Sequence, residues 1–258
     1  MSDDLMQPHI AANLGIYFDA VDNVDEGLWY ASSARITDFY WNYGFRESGT
    51  LLTEANAAAL AVAAVERGRQ PALWQRADTP ILDGWSVASS EAWMEVSTSG
   101  LASANAFLPG VDVKISIHPR PTEAMVRVFA DAYGSGGAEG DVGYFALPPE
   151  YEEAYRAARP QQPTAAAHVA ACVDGSCAAA ATICVVGNHG GLYSVCVAHR
   201  WRRRGLGRYV SAVACEEGAR LGCRSFFLQT EADSPVEEMY QSLGFKRLFI
   251  GNLLTEGT

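Results

Sequence analysis

The chain has 258 residues, 49% of them hydrophobic, with a formal net charge of -11 and a sequence pI of about 4.9. That length supports one large domain or two small ones with real cores, and the acidity argues against a general binder of nucleic acid or anionic membrane. No apolar run approaches the roughly 20 residues of a membrane span, and the N-terminal MSDDLMQPHI lacks the basic-then-apolar layout of a secretory signal, so a cytoplasmic location is expected.

The first hundred residues carry few periodic signals. GLWYASSARITDFYWNYGF, residues 27–45, is dense in aromatics, which reads first as core and second as a pocket wall. TEANAAALAVAAVERGRQ, 53–70, has good helical propensity throughout. PALWQRA, 71–77, and WSVASSEAWMEV, 85–96, read as strands. TSGLASANAFLPG, 98–110, is small, polar and closed by Pro-Gly, so it reads as a linker or long loop, with a boundary near residue 110.

Beyond 110 the elements follow one another clearly. VDVKISIH, 111–118, alternates with Val111, Val113, Ile115 and Ile117 on one face, which predicts a half-buried strand. In RPTEAMVRVFADAYG, Pro121 and Thr122 suit a helix start, and Met125, Val126, Phe129 and Ala130 recur at helical spacing. PPEYEEAYRAARP is a second helix ended by Pro160, and AHVAACVDGSCAAAATICVVG is two strands around an Asp174-Gly175 turn. LYSVCVA, 192–198, is a third strand, followed by a helix over about 205–221 with Leu206, Val210, Val213 and Ala214 inward. RSFFLQTE, SPVEEMYQSLG and FKRLFIGNLL complete the pattern as strand, helix and strand. The sum is an α/β domain layered on a mixed sheet.

All six cysteines, Cys172, Cys177, Cys184, Cys196, Cys215 and Cys223, lie in the second half without a C-x-x-C pair or a histidine cluster. They read as small buried thiols rather than as metal ligands or disulfides.

The charge is concentrated in HRWRRRGLGRYV, 199–210, where Arg200, Arg202, Arg203, Arg204 and Arg208 surround Gly205 and Gly207. A strand runs through this turn into a helix, whose first N–H groups lack internal acceptors and carry the positive end of the helix dipole. Glycines there let the backbone approach a phosphate or pyrophosphate, and arginines add charge around it. The bland alternative is a solvated charge run. Neither G-x-x-x-x-G-K-[ST] nor G-x-G-x-x-G is present, since position 210 is Val.

VAHRWRRRGLG, 197–207, resembles the acyl-CoA-binding motif of the GNAT superfamily of N-acetyltransferases, Arg/Gln-x-x-Gly-x-Gly/Ala. PVEEMYQSLGF, 235–245, resembles the stretch of that family in which a Tyr precedes a Leu-Gly-Phe turn. The resemblance spans about residues 111–255 and implies a GNAT-like mixed sheet flanked by helices. Residues 111–258 then form the catalytic domain, and 1–110 a degenerate GNAT-like half or a substrate-side domain with its linker, giving a tandem arrangement.

It further implies acetyl-CoA or another acyl-CoA as co-substrate, no metal, and a small-molecule amine as acceptor. Arg202, Arg203, Arg204, Gly205, Leu206, Gly207 and Arg208 would hold the pyrophosphate, chiefly by backbone. The N–H groups of Val195 and Val197 would polarise the thioester carbonyl, and Tyr240 would protonate the leaving thiolate. The base is open among Glu231, Tyr193, His199 and a water relay. The chain departs from the family at His199, where Pro is frequent, and at Ser234, where Asn is frequent. The rival readings are an aminoacyl-tRNA-dependent transferase on the same fold and a non-catalytic CoA-binding module. A fragment beginning at residue 108 is expected to keep donor binding and lose turnover.

Overall fold

The computed structural model describes residues 5–46, 52–107, 109–133 and 147–256. In the first half these are α1 (Met6–Asn13), β1 (Ala20–Asp25), β2 (Leu28–Ser32), β3 (Tyr43–Arg46), α2 (Glu54–Glu66), β4 (Ala72–Arg76) and β5 (Trp85–Ser97). The second half contains β6 (Lys114–His118), α3 (Glu123–Tyr133), α4 (Pro149–Ala157), β7 (Ala165–Val173), β8 (Ser176–Val186) and β9 (His189–Val197). It continues with α5 (Leu206–Arg220), β10 (Ser225–Glu231), α6 (Pro235–Ser242) and β11 (Lys246–Glu256). The second half follows the predicted order element by element. In the first, α1 and β1–β3 have no counterpart in the periodicity. Strands β2 and β3 are short and buried with little regard to side, so they do not alternate.

The described strands form one sheet in the order β1-β2-β3-β4-β11-β5-β10-β9-β8-β7-β6. A repeat is visible in the pairing. β1, β2 and β3 are successively antiparallel, and β3 lies parallel to β4 with α2 as the crossover. β7, β8 and β9 are likewise antiparallel, and β9 lies parallel to β10 with α5 as the crossover. A final strand follows in each case, β5 in the first half and β11 in the second. These two strands are exchanged. β5 lies between β10 and β11, and β11 lies between β4 and β5, all antiparallel.

The change in character near residue 110 therefore marks no gap in the sheet. A fragment beginning at 108 lacks the strand that separates β10 from β11, and donor binding by it, as expected above, has no intact sheet to rest on. Within the stretch read as a linker, residues 102–104 are tied to the second half. Glu216 on α5 accepts hydrogen bonds from the Ala104 N–H at 2.8 Å and the Ser103 hydroxyl at 3.2 Å, and Ala102 N–H donates to the Leu243 carbonyl at 3.0 Å.

The sheet has a core on each face. On one side α1, α3 and α4 bury Phe18, Trp93, Met125, Phe129 and Tyr155. On the other, α5 and α6 bury Val210, Cys215, Phe226, Leu243 and Phe245. Adjacent Trp93 and Met94 of β5 go to opposite cores, as strand alternation requires. All six cysteines are free thiols, four buried and two, Cys172 and Cys177, half-buried. Among the described residues no helix is long and apolar enough to cross a membrane.

Candidate active site

The site begins where two strands part. β9 and β10 pair only from His189 to Gly191 and from Ser225 to Phe227; beyond that they diverge. The register of β9 against β8 shifts between the partners of Ala180 and Thr182, and Ser194 in that bulge has φ 52°. Ala198 N–H bonds to the Ala178 carbonyl at 2.9 Å. By the alternation of an antiparallel ladder, Cys196 and Ala198 therefore face β8, while the backbone groups of Val195 and Val197 face the gap. Their carbonyls are engaged there: Tyr133 Oη donates to Val195 O at 2.6 Å and Arg202 Nε to Val197 O at 3.4 Å.

The arginine-rich turn lies at the open end of the gap. A 3-10 turn, His199–Trp201, leads to Arg203 at φ 62° and to Gly205 at φ 79°, the N-cap of α5. Position 205 favours glycine because an L-residue is strained at that φ, and nothing lies within 4 Å of where its Cβ would be. No side chain caps α5. This contrasts with α6, where Ser234 accepts from the Glu237 N–H at 3.2 Å, and with α2, where Thr53 and Asn56 form a capping box. The departure at Ser234 is thus a helix cap. In α2, the first-half counterpart of α5, the cap occupies N–H groups that α5 leaves open to an anion.

The arginines divide by task. Arg202 also donates from Nη2 to Ala132 O at 2.9 Å, so it ties the turn to the end of α3. Arg203 and Arg204 are exposed, and Arg204 lies 5.0 Å over the Trp201 ring. Arg208 lies 5.3 Å over Phe107. Leu206 is buried beneath α5, and a Cβ at Gly207 would make only ordinary contact with Val197 at 3.5 Å and Met239 at 3.6 Å. Tyr240 is buried against α5 with its hydroxyl bonded to Ser211, whose Oγ donates to Gly207 O at 2.8 Å. Burial pushes the Tyr240 phenol above its ordinary value, which keeps it protonated.

The first half reaches the other side of the gap. His9 on α1 lies among the rings of Phe18, Trp41, Trp93 and Tyr193 at 5.4–6.0 Å. Its Nδ1 accepts from Gln229 Nε2 on β10 at 2.7 Å and contacts Tyr193 Oη on β9 at 3.0 Å, so one side chain bridges both diverging strands. Burial pushes His9 down to about 3, and the donor at Nδ1 places its proton on Nε2. Tyr17 stacks on Trp41 at 4.4 Å and shares a 2.8 Å hydrogen bond with Ser194 at the bulge. Tyr30, Tyr43 and Phe45 of the aromatic block are core, and Trp41 is partly buried against that core.

The base candidates separate. Tyr193 is bound to His9, and burial raises its phenol well above the ordinary range, which opposes deprotonation. His199 is held by Asp131, whose Oδ2 accepts from the His199 N–H at 2.7 Å and lies 3.5 Å from its Nδ1. Glu231 ends β10, is exposed, and stands opposite Glu91 on β5. Burial raises the Glu91 carboxyl to about 7. Glu91, His9, Tyr17 and Gln229 have no signal in the motifs. The only trace is the period-two run Glu91, Trp93, Glu95, which puts carboxylates on the face of a buried indole. Among the described residues no group of three or more His, Cys, Asp or Glu is placed to hold a metal ion.

The acetyltransferase (GNAT) family profile matches residues 131–245. No curated protein matches by sequence. Solved structures match over most of the chain. A GCN5-related N-acetyltransferase from Kribbella flavida superposes with a TM-score of 0.69 at 18% identity, covering 97% of this chain and 95% of that one. A putative acetyltransferase from the GNAT family of Novosphingobium aromaticivorans gives 0.57 at 17%, covering 92% of each. A tandem GNAT protein from the clavulanic acid biosynthesis pathway gives 0.58 at 14%, covering 88% of this chain and 77% of that one. At these identities the likeness is one of fold, and it extends through both halves.

Proposed function

Because residues 131–245 match the acetyltransferase (GNAT) family profile, we propose that the chain moves an acyl group, acetyl from acetyl-CoA in the first instance, onto the amine of a small molecule. The observation that carries this reading is the junction of β9 and α5. An uncapped helix N-terminus with a left-handed Gly205 stands at the mouth of a gap into which the backbone of Val195 and Val197 faces. An uncapped N-terminus suits a pyrophosphate, and strand N–H groups aimed into a gap suit a thioester carbonyl.

Coenzyme A supplies a thiol leaving group and a handle remote from the chemistry. In this reading the N–H groups from Arg203 to Gly207 hold the pyrophosphate, with Arg204 and Arg208 contributing charge. Leu206 anchors the turn in the core, and Arg202 fixes it to α3. Val195 and Val197 polarise the carbonyl. Tyr240, kept protonated by burial, donates to the departing sulfur. The first half walls the acceptor side through Tyr17, Trp41 and His9. A reducing, cytoplasmic setting agrees with six free thiols.

Calorimetric titration with acetyl-CoA tests the reading. Wild-type protein is expected to bind, and Gly205→Val to lose binding while still folded. Equal affinity in the two proteins contradicts it.

A further inference from the structure

Gly191 and Phe227 form the last pair that joins β9 to β10, and both strands run on in the same direction. Beyond it β9 carries the bulge at Ser194 and parts from β10, which runs on to Glu231. Glu231 stands opposite Glu91 on β5, Glu91 opposite Gly251 on β11, and Gly251 opposite Arg76 on β4. One row of residues thus runs from the gap across four strands. Directly opposed residues share a face, and this is the face of Trp93, on the α1 side of the sheet. Gly251 contributes no side chain. The indole Nε1 atoms of Trp93 and Trp74 lie 2.6 and 2.7 Å from where its Cβ would be, and Arg76 beyond it is paired with Asp78.

Two carboxylates occupy this row, and they differ. Glu231 is exposed at the rim of the gap. Glu91 is half-buried behind it, close enough to Tyr43 of β3 that its charge raises that phenol. Among the described residues no donor hydrogen-bonds the Glu91 carboxyl. Asp38, also half-buried, accepts from Tyr151 Oη at 2.6 Å and from the Tyr40 N–H at 3.0 Å, and Glu216 accepts from Ser103 and Ala104; Glu95, buried further along the same face of β5, is like Glu91 without a donor among the described residues. The Glu91 carboxyl thus keeps acceptor positions open on the Trp93 face of the sheet, next to Glu231 at the rim of the gap.

We propose that Glu91, supplied by the first half of the chain, is the general base that takes the proton from the acceptor amine. The proposal rests on the acyl-transfer reading. The Glu91 carboxylate takes a proton from the amine nitrogen as the nitrogen lone pair forms the bond to the thioester carbonyl carbon. The carbon–sulfur bond breaks with its electron pair on sulfur, and Tyr240 supplies the proton that sulfur takes. Glu91 then loses its proton to solvent, and Tyr240 regains one. Burial holds the Glu91 carboxyl near 7, where a base is both available and strong enough at neutral pH. The charged and titratable groups around it are Glu231 opposite, Tyr43 on β3, and Arg76 with Asp78 beyond Gly251; the row leaves Glu91 nearer to a like charge than to a cation.

The test uses the full chain with acetyl-CoA as donor and hydroxylamine as acceptor, small enough for any acceptor site and neutral at neutral pH. Thiol release is followed between about pH 5.5 and 9 for wild type, Glu91→Gln and Glu91→Ala. Wild-type turnover is expected to rise along a limb centred near 7. Glu91→Gln loses that limb and about 10²-fold in turnover, and its acetyl-CoA dissociation constant stays within about twofold. Added formate restores turnover to Glu91→Ala. A Glu91→Gln protein that keeps the limb and the rate overturns the proposal, as does a Glu91→Ala protein that formate leaves unchanged. So does a wild-type protein that binds acetyl-CoA yet releases no thiol above the uncatalysed rate. A wild-type protein that binds no acetyl-CoA overturns the acyl-transfer reading itself.

Discussion

Gly205 and Gly207 sit two residues apart in the same turn and answer to different constraints. Gly205 is left-handed in open space, so alanine there strains the backbone without a clash. Gly205→Ala is expected to cost about 1 kcal/mol of stability, read from denaturant midpoints, whereas Gly207→Ala, with ordinary contacts at 3.5 and 3.6 Å, leaves stability nearly unchanged. Tyr240→Phe removes a hydroxyl and keeps the ring. If the phenol serves the leaving sulfur, turnover drops about 10²-fold with donor affinity little changed, and lost bonding to Ser211 costs about 1 kcal/mol. Wild-type turnover in that variant removes Tyr240 from the chemistry.

His9 and His168 make a prediction in pH. Burial lowers them to about 3 and about 4. Below the unfolded value near 6.5 the unfolded chain binds protons that the folded chain refuses, so stability present above pH 6.5 is lost as pH falls. Each contributes about 1.4 kcal/mol per pH unit until its folded value is reached. Denaturation midpoints at about pH 7.5, 6.5 and 5.5 check this, and a flat profile contradicts it.

Among the elements, α6 is fixed to β11 by charge. Arg247 on β11 donates from Nε to Glu237 Oε1 at 2.6 Å and from Nη2 to Glu237 Oε2 at 2.5 Å and Asp233 Oδ1 at 2.6 Å. Arg247 holds the Glu237 carboxyl below its ordinary value. Its stabilising share is therefore present above the ordinary carboxylate range and is lost as pH falls through it. Arg247→Ala is expected to cost about 1–3 kcal/mol, measured by denaturant unfolding at neutral pH, and because α6 carries Tyr240 it also lowers turnover. The sequence makes elements such as β7, α5 and α6 legible, since alternation, helical spacing and caps are local. The uncapped strand-to-helix turn was legible for the same reason: Arg202 to Gly207 are contiguous. Partnership is not local. The alternation of β5 is the same whether it pairs with β4 or β10, so neither the exchange nor the place of Glu91 beside Glu231 can be read from it. His9 reaches Gln229 only through the fold.

At the scale of the whole molecule the two halves share one sheet, and of its two crossover helices α5 lacks the side-chain cap that α2 has. Residues 108–258 alone are expected to be insoluble or molten, because β10 and β11 both lose β5. Adding residues 1–107 in trans should restore a folded complex that binds acetyl-CoA, judged by calorimetry and by near-ultraviolet circular dichroism. A cooperative, donor-binding 108–258 fragment contradicts this. The exchange of β5 and β11 also sets a timetable for synthesis. Arg76 finds its partner only in Gly251, so on the ribosome β4 waits with an unfilled edge while nearly all of the second half is made. Pairing so distant in sequence is slow, and a waiting strand edge is a template for the same edge on a neighbouring nascent chain. Yield of folded protein should therefore fall with crowding on the polysome and recover when translation is sparse.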